Sequence, residues 1–458
     1  MFLVIYMQID KIFENFIGNV KKDGVYASSE DVREATRLML DIIKAHKDAS
    51  IEELIDLVVA DNINLVESIR SKYYFPGYTI GVNVGNINVK LLGGSLRENG
   101  PKMDNNALFD IASVTKFYTQ IVVYNLIKEG KFSFDSVIYD LDDRFVNLKD
   151  LTVRDITNFT TTFMTDGRIS DKKTTDDAFR ALYTVRVDKK GTYNYNDIGM
   201  MIMKEVMERV TCMKYKDLVD KYIISKFGLK NTYLIVPDEK KHLITSTPNF
   251  DIPSINDSNA NALGGYSGHA GIFASSDDLI SLSKEVINGN VIDKDMIDDI
   301  YTPGYKPGRA MMGNVYVADE TGLINGYNDV LEPKKSFSLN GSTRSLLNAS
   351  RFGSGTVLLN PASMSIERAL ETEARINEER ALNGRSPLSL VKRFTFDDNG
   401  NVRKFTLVDV RQMVPSNEGL NPILNMNAKL MLRLRFLNEF IDAYDKNYNK
   451  EINVIKCM

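Results

Sequence analysis

The stretch Leu108-Phe-Asp-Ile-Ala-Ser-Val-Thr-Lys-Phe-Tyr-Thr-Gln-Ile-Val-Val-Tyr-Asn-Leu-Ile127 joins an apolar lead-in to a nearly apolar helix. Ser113 and Lys116 stand three residues apart where this helix begins, so their side chains share one face of its first turn. Lys116 can therefore reach the Ser113 hydroxyl, and the helix N-terminus favours negative charge that develops there. A lysine kept neutral by burial and neighbouring cations could then accept the serine proton. The stretch predicts a nucleophilic serine.

The pattern Ser-x-x-Lys is weak evidence by itself, because it begins at four serines of this chain: Ser113, Ser170, Ser281 and Ser389. The alternative for any one of them is a serine that caps a helix and a lysine on the surface. Ser170 lies in a polar stretch, Ser281 lies within a continuing helix and Ser389 precedes a strand. Ser113 alone combines an apolar lead-in with an apolar helix, so the context selects it.

The composition excludes several classes of function. The chain has 458 residues, 43% of them hydrophobic, which is ordinary for a globular protein with a core. Its net charge of -4 lacks the basic excess of a nucleic-acid-binding protein. Cys212 and Cys457 lack metal-ligand spacing and the three histidines are scattered, which argues against disulfide frameworks and metal clusters. We therefore expect no metal, no organic cofactor, and acid–base chemistry on other side chains.

The N-terminal region gives an expectation about location. Residues 1–7 are apolar, but no Lys or Arg precedes them and Asp10 and Lys11 follow, which is unlike a signal peptide. No apolar run approaches the roughly 18 residues of a membrane span. The sequence thus predicts a cytoplasmic protein without a membrane span.

The order of predicted elements indicates the fold class. Residues 29–72 have the apolar spacing of two amphipathic helices, and a hairpin that turns at Gly85-Asn86 follows Phe75. Residues 107–235 are mainly helical, and residues 336–360 return to strand patterns. This order predicts an α+β fold in which both chain ends form an antiparallel sheet, flanked by helices, around an inserted helical lobe.

The tail has a charged helix at about 364–382, a hairpin candidate at Asp398-Asn399-Gly400 and a last helix at about 425–448. We therefore expect three parts: N-terminal packing helices in residues 1–74, a catalytic unit in residues 75–361, and a C-terminal extension in residues 362–458.

The segment around Ser113 resembles the nucleophile segment of the serine β-lactamase and penicillin-binding protein superfamily. It is most similar to the class C β-lactamase-related hydrolases and esterases. Further stretches resemble this family in the same order, over roughly residues 70 to 361: Phe75-Pro-Gly-Tyr-Thr-Ile-Gly81, Leu151-Thr-Val-Arg-Asp-Ile-Thr157, Phe227-Gly-Leu-Lys-Asn-Thr232, Asp257-Ser-Asn-Ala260 and, longest of all, Leu263-Gly-Gly-Tyr-Ser-Gly-His-Ala-Gly-Ile-Phe-Ala-Ser-Ser-Asp-Asp-Leu279.

The resemblance implies a β-lactamase/transpeptidase-like fold and an acyl-enzyme on Ser113, with Lys116 as proton partner. The second family motif, Tyr-x-Asn, corresponds to Tyr195-Asn196-Asp197, and Tyr193 is the alternative register. The resemblance implies that the tyrosine oxygen acts with the lysine as base and then protonates the leaving group. Asp197 replaces an asparagine that contacts the substrate and the lysine. A carboxylate there favours the charged form of Lys116.

The third family motif, Lys-Thr-Gly or His-Thr-Gly, corresponds to Leu339-Asn340-Gly341, so its cation is replaced by a leucine. Gly341 keeps the small residue that lets a substrate lie against the strand. The resemblance implies that the backbone N–H groups of Ser113 and Ser342 form the oxyanion hole, which needs no particular side chain. Arg344 is a candidate for the lost charge, but alternation along a strand puts positions 339 and 344 on opposite faces unless a bulge intervenes.

Two further positions bear on the site. His269 is expected to line the mouth of the cleft rather than to transfer protons. Asn158-Phe-Thr-Thr-Thr162 stands where relatives have His-Thr-Ser-Gly, a more structural motif.

Two functions compete. The first is a serine hydrolase that acts on an ester, a small amide or a peptide, since the missing cation argues against β-lactams and peptidoglycan stem peptides. The expected absence of a signal peptide favours the same choice, because cell-wall substrates lie outside the membrane. The second is a weakened or inactive member of the fold that binds a ligand or partner with the same cleft.

Overall fold

The arrangement of helices and strands is that of a computed structural model. It describes residues 8–22, 29–245, 255–291, 309–310, 313–315, 336–350, 353–360, 366–391, 395–396, 398, 402–404, 414, 416–444, 448 and 450–458. The helices of these residues are α1 (Ile9–Lys22), α2 (Ser29–Ala45), α3 (Ile51–Tyr73), α4 (Thr115–Lys128), α5 (Ile138–Leu141), α6 (Val153–Thr157), α7 (Thr175–Tyr183), α8 (Ile198–Thr211), α9 (Tyr215–Val219), α10 (Ser225–Phe227), α11 (Ser258–Ala262), α12 (Ser276–Ile287), α13 (Ile366–Leu382) and α14 (Asn421–Tyr444).

The strands of the described residues build one large sheet and three small ones. In the large sheet the strand order is β15-β2-β1-β12-β11-β10-β9-β8. A three-stranded sheet has the order β3-β7-β6, and β4–β5 and β13–β14 form two-stranded sheets. The strands are β1 (Gly77–Val84), β2 (Ile87–Gly94), β3 (Phe109–Asp110), β4 (Thr161–Met164), β5 (Arg186–Lys190), β6 (Thr232–Tyr233), β7 (Phe273–Ala274), β8 (Arg309–Ala310), β9 (Gly313–Val315), β10 (Ser336–Asn340), β11 (Ser345–Ser350), β12 (Gly353–Leu359), β13 (Thr395–Phe396), β14 (Val402–Lys404) and β15 (Ile452–Cys457).

Both ends of the chain contribute to the large sheet, as predicted. The β1–β2 hairpin turns at Gly85, whose φ of 54° suits a residue without a side chain. β1 pairs antiparallel with β12, so that Val84 lies opposite Gly353. The predicted α+β fold with an inserted helical lobe is confirmed. The sheet itself is mixed rather than antiparallel, because β15 runs parallel to β2.

The large sheet separates two hydrophobic cores. On β12, the side chain of Leu358 joins the core of the helical lobe, whereas those of Val357 and Leu359 join the core formed with α1–α3 and α14. This is the alternation expected of a strand buried on both faces. Helix α12 packs on the lobe side of β1, β11 and β12, and α14 packs on β1 and β12 from the other side.

Helix α4, which follows Ser113, is the central helix of the lobe. Every residue from Thr115 to Tyr124 is buried. A helix that is hydrophobic all round is typical of a buried position, so the predicted burial of this helix is confirmed.

The two ends of the chain differ from the prediction. Helix α1 was not predicted, and the last helix ends at Tyr444 and is followed by β15. β15 buries Ile452 and Val454 and exposes Asn453 and Ile455. The alternation of buried and exposed residues in this strand is short, and β15 forms by pairing with the edge of β2. In the predicted tail hairpin, β13 and β14 pair, while Asn399 and Gly400 lie outside the described residues. Within the described residues, no helix has both the length and the apolar character needed to cross a bilayer.

Candidate active site

Ser113 lies in a tight turn between β3 and α4. Residues Ala112–Val114 form a single 3₁₀ turn, and α4 begins at Thr115. Ala112 has a φ of 44°, a left-handed conformation that costs energy for a residue with a Cβ atom. The side chain of Ser113 is partly exposed. The turn thus presents its hydroxyl at the N-terminus of a buried helix, where the helix dipole favours negative charge.

Asp110 fixes the residues just before this turn. Its Oδ1 accepts a hydrogen bond from Ala112 N at 2.8 Å and its Oδ2 accepts one from Asn256 N at 2.7 Å. Burial raises the pKa of Asp110 to about 6, although these two N–H groups act in the opposite direction. Asp110 belongs to the motif around Ser113 but was not predicted as a functional residue, because its role depends on Asn256, 146 positions away in the sequence.

Lys116 lies at the centre of the candidate site. Its Nζ donates a hydrogen bond to Ser113 Oγ at 2.9 Å and forms an ion pair with Asp197 Oδ1 at 2.7 Å. The carbonyl oxygen of His269 lies 3.5 Å from the same Nζ, and the centre of the Tyr195 ring lies 4.8 Å away. The Lys116 side chain is only 6% exposed. The structure therefore brings the predicted residues of the first and second motifs together.

The charge state of Lys116 differs from the neutral base expected from burial. Burial does lower the pKa of Lys116, but the electrostatic effects of Tyr195 and Asp197, with hydrogen bonds to both, outweigh it, and the pKa lies above its usual value. The carboxylate of Asp197 therefore has the effect predicted from the sequence, and Lys116 carries a positive charge at neutral pH.

Tyr195 rather than Tyr193 faces this lysine. The Tyr195 side chain is 44% exposed, and its ring stacks on that of Phe159 with centroids 5.2 Å apart. Backbone N–H of Asn194 donates to the carbonyl of Phe159 at 2.7 Å, while Tyr193 packs against the core of the lobe. The segment Asn158–Thr162, which departs from the family motif, thus supports Tyr195. Phe159 was missed as a site residue because nothing local in the sequence shows this stacking.

His269 is buried rather than at the mouth of the cleft, so the predicted position was wrong. Its side chain is 1% exposed, and its Nε2 lies 2.8 Å from Asp257 Oδ1. Asp257 also caps α11 by accepting from Ala260 N. Burial would raise the pKa of Asp257, but the hydrogen bond and charge of His269, with smaller effects of Ala260 and Lys116, hold the pKa below its usual range. The stretch Asp257-Ser-Asn-Ala260 entered the sequence analysis only as a family resemblance, and nothing local in it shows the pairing with His269.

The turn between β10 and β11 lies against the nucleophile segment. The Thr343 hydroxyl donates to the Asp110 carbonyl at 2.7 Å, and the Ser345 hydroxyl donates to the Ile111 carbonyl at 3.0 Å. A Cβ atom on Gly341 would lie 2.1 Å from Ser345 Oγ and 2.5 Å from the Ile111 carbonyl oxygen. Only glycine permits this approach.

The side chains of this turn have different surroundings. Leu339 is 8% exposed and packs into the core of the lobe, opposite Leu347. Asn340 and Ser342 are exposed. Arg344 lies in the turn with a φ of 62°, and its N–H donates to the Gly341 carbonyl. The roles proposed for Asn340, Gly341 and Ser342 stay predictions.

Three groups at the site also have the chemistry of metal ligands. One oxygen of Asp197, one oxygen of Asp257 and one ring nitrogen of His269 all lie within 4.8 Å of one another. The small number of histidines predicted no metal cluster. The fold brings together a set of three candidate ligands that contains only one histidine.

Comparison with known proteins agrees with this architecture. A family model described as Beta-lactamase matches residues 62–360. A protein of Salmonella gallinarum, provisionally named D-alanyl-D-alanine carboxypeptidase, is 24% identical in an alignment 236 positions long that covers 43% of this chain and 55% of that protein. A protein of the same name from Salmonella paratyphi B is 25% identical and is also matched over 43% of this chain and 55% of its own length. The chain thus spans about half the length of these curated relatives.

Solved structures resemble the fold. The hydrolase EstCE1, described as having promiscuous acyltransferase activity, superposes with a TM-score of 0.55 at 15% identity, over 67% of this chain and 94% of EstCE1. A class C beta-lactamase from Rhodobacter sphaeroides gives a TM-score of 0.52 at 19% identity, over 65% of this chain and 93% of that one. Since the family model covers well over half of the residues, the chain belongs to the beta-lactamase family of serine hydrolases.

Proposed function

We propose that the chain is a serine hydrolase that forms an acyl-enzyme on Ser113 and cleaves an ester or a small amide or peptide bond. The main support is the hydrogen bond of 2.9 Å between Lys116 Nζ and Ser113 Oγ. A nucleophile within hydrogen-bonding reach of its proton partner, which a third group holds in place, is the signature of covalent catalysis. Asp197 is that third group here.

In the proposed reaction, Ser113 Oγ attacks the carbonyl carbon of the substrate and gives up its proton. The charged form of Lys116 cannot accept this proton. The proposed acceptor is therefore Lys116 after it has lost a proton, with the Tyr195 oxygen as its partner. The leaving alcohol or amine takes the proton, and water then releases the acid from Ser113.

Backbone N–H groups of Ser113 and Ser342 would bind the oxyanion of the tetrahedral intermediate. The close approach of Gly341 to the carbonyl oxygen of Ile111 supports this proposal, because it brings the turn before Ser342 against the nucleophile segment. Such preorganised donors stabilise charge as it develops in the transition state.

The proposed substrates lack an essential carboxylate. Leu339 is buried where relatives place a cation, and a cation there would bind a substrate carboxylate. We therefore favour simple esters or small amides over β-lactams. The curated relatives are matched over only about half of their length, so their carboxypeptidase name supports the reaction class and not the substrate. A cytoplasmic location stays a prediction.

The position of the flanking regions supports an open site. Helices α13 and α14 of the tail contribute to the core on the far face of the sheet, together with α1–α3. Leu339 lies in the core of the lobe. We accordingly propose residues 75–361 as the catalytic unit, with residues 1–74 and 362–458 as its support.

One observation favours the second function, a weakened or inactive protein that binds a ligand in the same cleft. Asp197 helps to keep Lys116 charged, and a charged lysine is a poor acceptor for the Ser113 proton. Such a protein would retain the cleft and lose the nucleophile's reactivity.

Labelling with a fluorophosphonate, followed by intact-mass measurement, separates the two functions. We expect the wild-type chain to gain one adduct and Ser113→Ala to gain none. Ser281→Ala is the matched control, because Ser281 and Lys284 form the same motif within α12, and it should label like the wild type. An unlabelled wild type, under conditions that label an active relative, would reject the hydrolase and favour the binding protein.

A further inference from the structure

Asp197, Asp257 and His269 form a group that the hydrolase mechanism does not use as a unit. They come from three separate segments, yet their nearest ligand atoms all lie within 4.8 Å of one another. One imidazole nitrogen and two carboxylate oxygens are ligands that Zn²⁺ accepts, with bonds of about 2.0–2.2 Å. Three such ligands leave one position of a tetrahedral site open.

The three side chains are partly preorganised. His269 is 1% exposed and its Nε2 lies 2.8 Å from Asp257 Oδ1, while Asp257 is 26% exposed and is also held by Ala260 N. Among the described residues, the buried Nδ1 of His269 has no hydrogen-bond partner, whereas Asp257 Oδ1 is an acceptor that favours a proton on Nε2, which a bound metal ion would replace. Asp197 is 36% exposed. A cation can therefore enter from the side of Asp197.

A positive charge already lies at this group. The Nζ of Lys116 lies 2.7 Å from Asp197 Oδ1 and 3.5 Å from the carbonyl oxygen of His269. The lysine neutralises a concentration of negative charge as a bound cation would. A divalent ion on the same carboxylates would be repelled by this ammonium over a few ångströms, where the Coulomb energy is largest.

We infer that Asp197, Asp257 and His269 form a zinc site that shares Asp197 with Lys116, so that the metal ion and the lysine ammonium compete for one carboxylate. The ammonium of Lys116 weakens zinc binding at the hydrolytic site. Bound zinc displaces Lys116 from Asp197 and thereby weakens its contact with Ser113.

This competition predicts opposite effects of ligand and lysine variants. Asp197→Asn and His269→Gln each remove a ligand and should weaken zinc binding at least tenfold. Lys116→Met removes the competing charge and should strengthen zinc binding at least tenfold. Lys116→Arg keeps the charge and should bind zinc no more tightly than the wild type.

The test is equilibrium dialysis of the full chain against zinc chloride, with bound metal measured by atomic spectrometry. Asp135→Asn and His242→Gln change exposed side chains away from the site and serve as matched controls with unchanged binding. Circular dichroism without zinc checks that each variant is folded. If Lys116→Met is unfolded, the two ligand variants and their controls still decide whether the site exists.

Equal zinc binding by His269→Gln and the wild type would overturn the site. Absence of tighter binding in a folded Lys116→Met would overturn the competition. Dialysis needs no catalytic activity, so a failure of fluorophosphonate labelling would reject the proposed hydrolase and leave this inference to its own test. In a wild type that does label, one equivalent of zinc beyond saturation should slow labelling of Ser113.

Discussion

The nucleophile segment and the β10–β11 turn face each other across the candidate site, and they differ in what they preserve. The nucleophile segment keeps both the family residues and a contact between their side chains, since Lys116 Nζ lies 2.9 Å from Ser113 Oγ. The β10–β11 turn contacts that segment through Gly341 and through the hydroxyls of Thr343 and Ser345. The family resemblance predicts a cation at position 339 of β10, where this chain has a leucine. In the proposed hydrolase, the bond-making groups are therefore present without the substrate-binding charge.

The contact between lysine and serine can be broken directly. Lys116→Met should reduce the rate of fluorophosphonate labelling by about 10²–10⁴-fold, the usual range for a positioned proton partner. Lys284→Met, the equivalent change in the motif of α12, should leave the rate unchanged. A Lys116→Met protein that labels at the wild-type rate would remove the nucleophile segment from the chemistry.

The backbone contact of the opposite turn can be broken through Gly341→Ala. The new Cβ would lie 2.5 Å from a backbone carbonyl oxygen, which cannot move without shifting the turn. We expect the free energy of unfolding in urea to fall by about 1–3 kcal/mol, and labelling of Ser113 to slow.

Gly18→Ala is the control for this change, because no atom lies within 4 Å of the added Cβ in helix α1. It should raise the free energy of unfolding by about 0.5–1 kcal/mol. If Gly341→Ala is as stable as the wild type, the two regions do not pack as closely as described.

A cation can be introduced at position 339, where the family resemblance predicts one, to sharpen the comparison. The wild type should hydrolyse aryl esters far better than cephalosporins, and efficient cephalosporin hydrolysis would contradict the proposed substrates. Leu339→Lys should raise kcat/KM for carboxylate-bearing substrates relative to neutral esters by about tenfold, the effect of one charge-assisted contact of about 1.4 kcal/mol. Asn340→Lys places the same charge on the neighbouring exposed residue and should have a smaller effect.

The smallest effect is expected at Asp197. Asp197→Asn removes one of the groups that raise the pKa of Lys116, so more of the lysine is neutral at a given pH. The acidic limb of the pH–rate profile for labelling should move to lower pH, with a rise of about threefold at pH 7. A shift to higher pH would show that the carboxylate positions the lysine more than it charges it.

The same variant has a consequence for stability. Because the folded-state pKa of Lys116 is raised, its contribution to stability is present below its unfolded pKa and is lost as the pH rises through the folded value. Thermal unfolding of Asp197→Asn should therefore depend less on pH at the alkaline end than that of the wild type. Asp135→Asn, at an exposed carboxylate, should follow the wild type.

Local pattern was sufficient to predict much of the fold. The apolar spacing of residues 29–72 and the alternation around Gly85 predicted α2, α3 and the β1–β2 hairpin, because these elements are specified by their own residues. The strand β15 was missed because it is defined by the edge it pairs with. The sheet was therefore predicted antiparallel throughout, and its one parallel edge follows from a long-range contact.

The site divides in the same way. The spacing of Ser113 and Lys116 on one helical turn predicted their contact, since helix geometry fixes it. The burial of His269 against Asp257 and the stacking of Phe159 on Tyr195 depend on segments far apart in sequence. Their side chains carry no local signal of these partners. The roles of all these residues stay predictions until the variants are measured.

The arrangement of the large sheet has a consequence for synthesis on the ribosome. The β1–β2 hairpin is made early. Its two edges can pair only when Gly353, the partner of Val84, and Ile452, the partner of Ile87, have been made. At about 5–20 residues per second, both edges stay open for ten seconds or more. An unpaired strand edge is a template for association with other chains. The β1–β2 hairpin therefore has unpaired edges until the residues of β12 and β15 have been made.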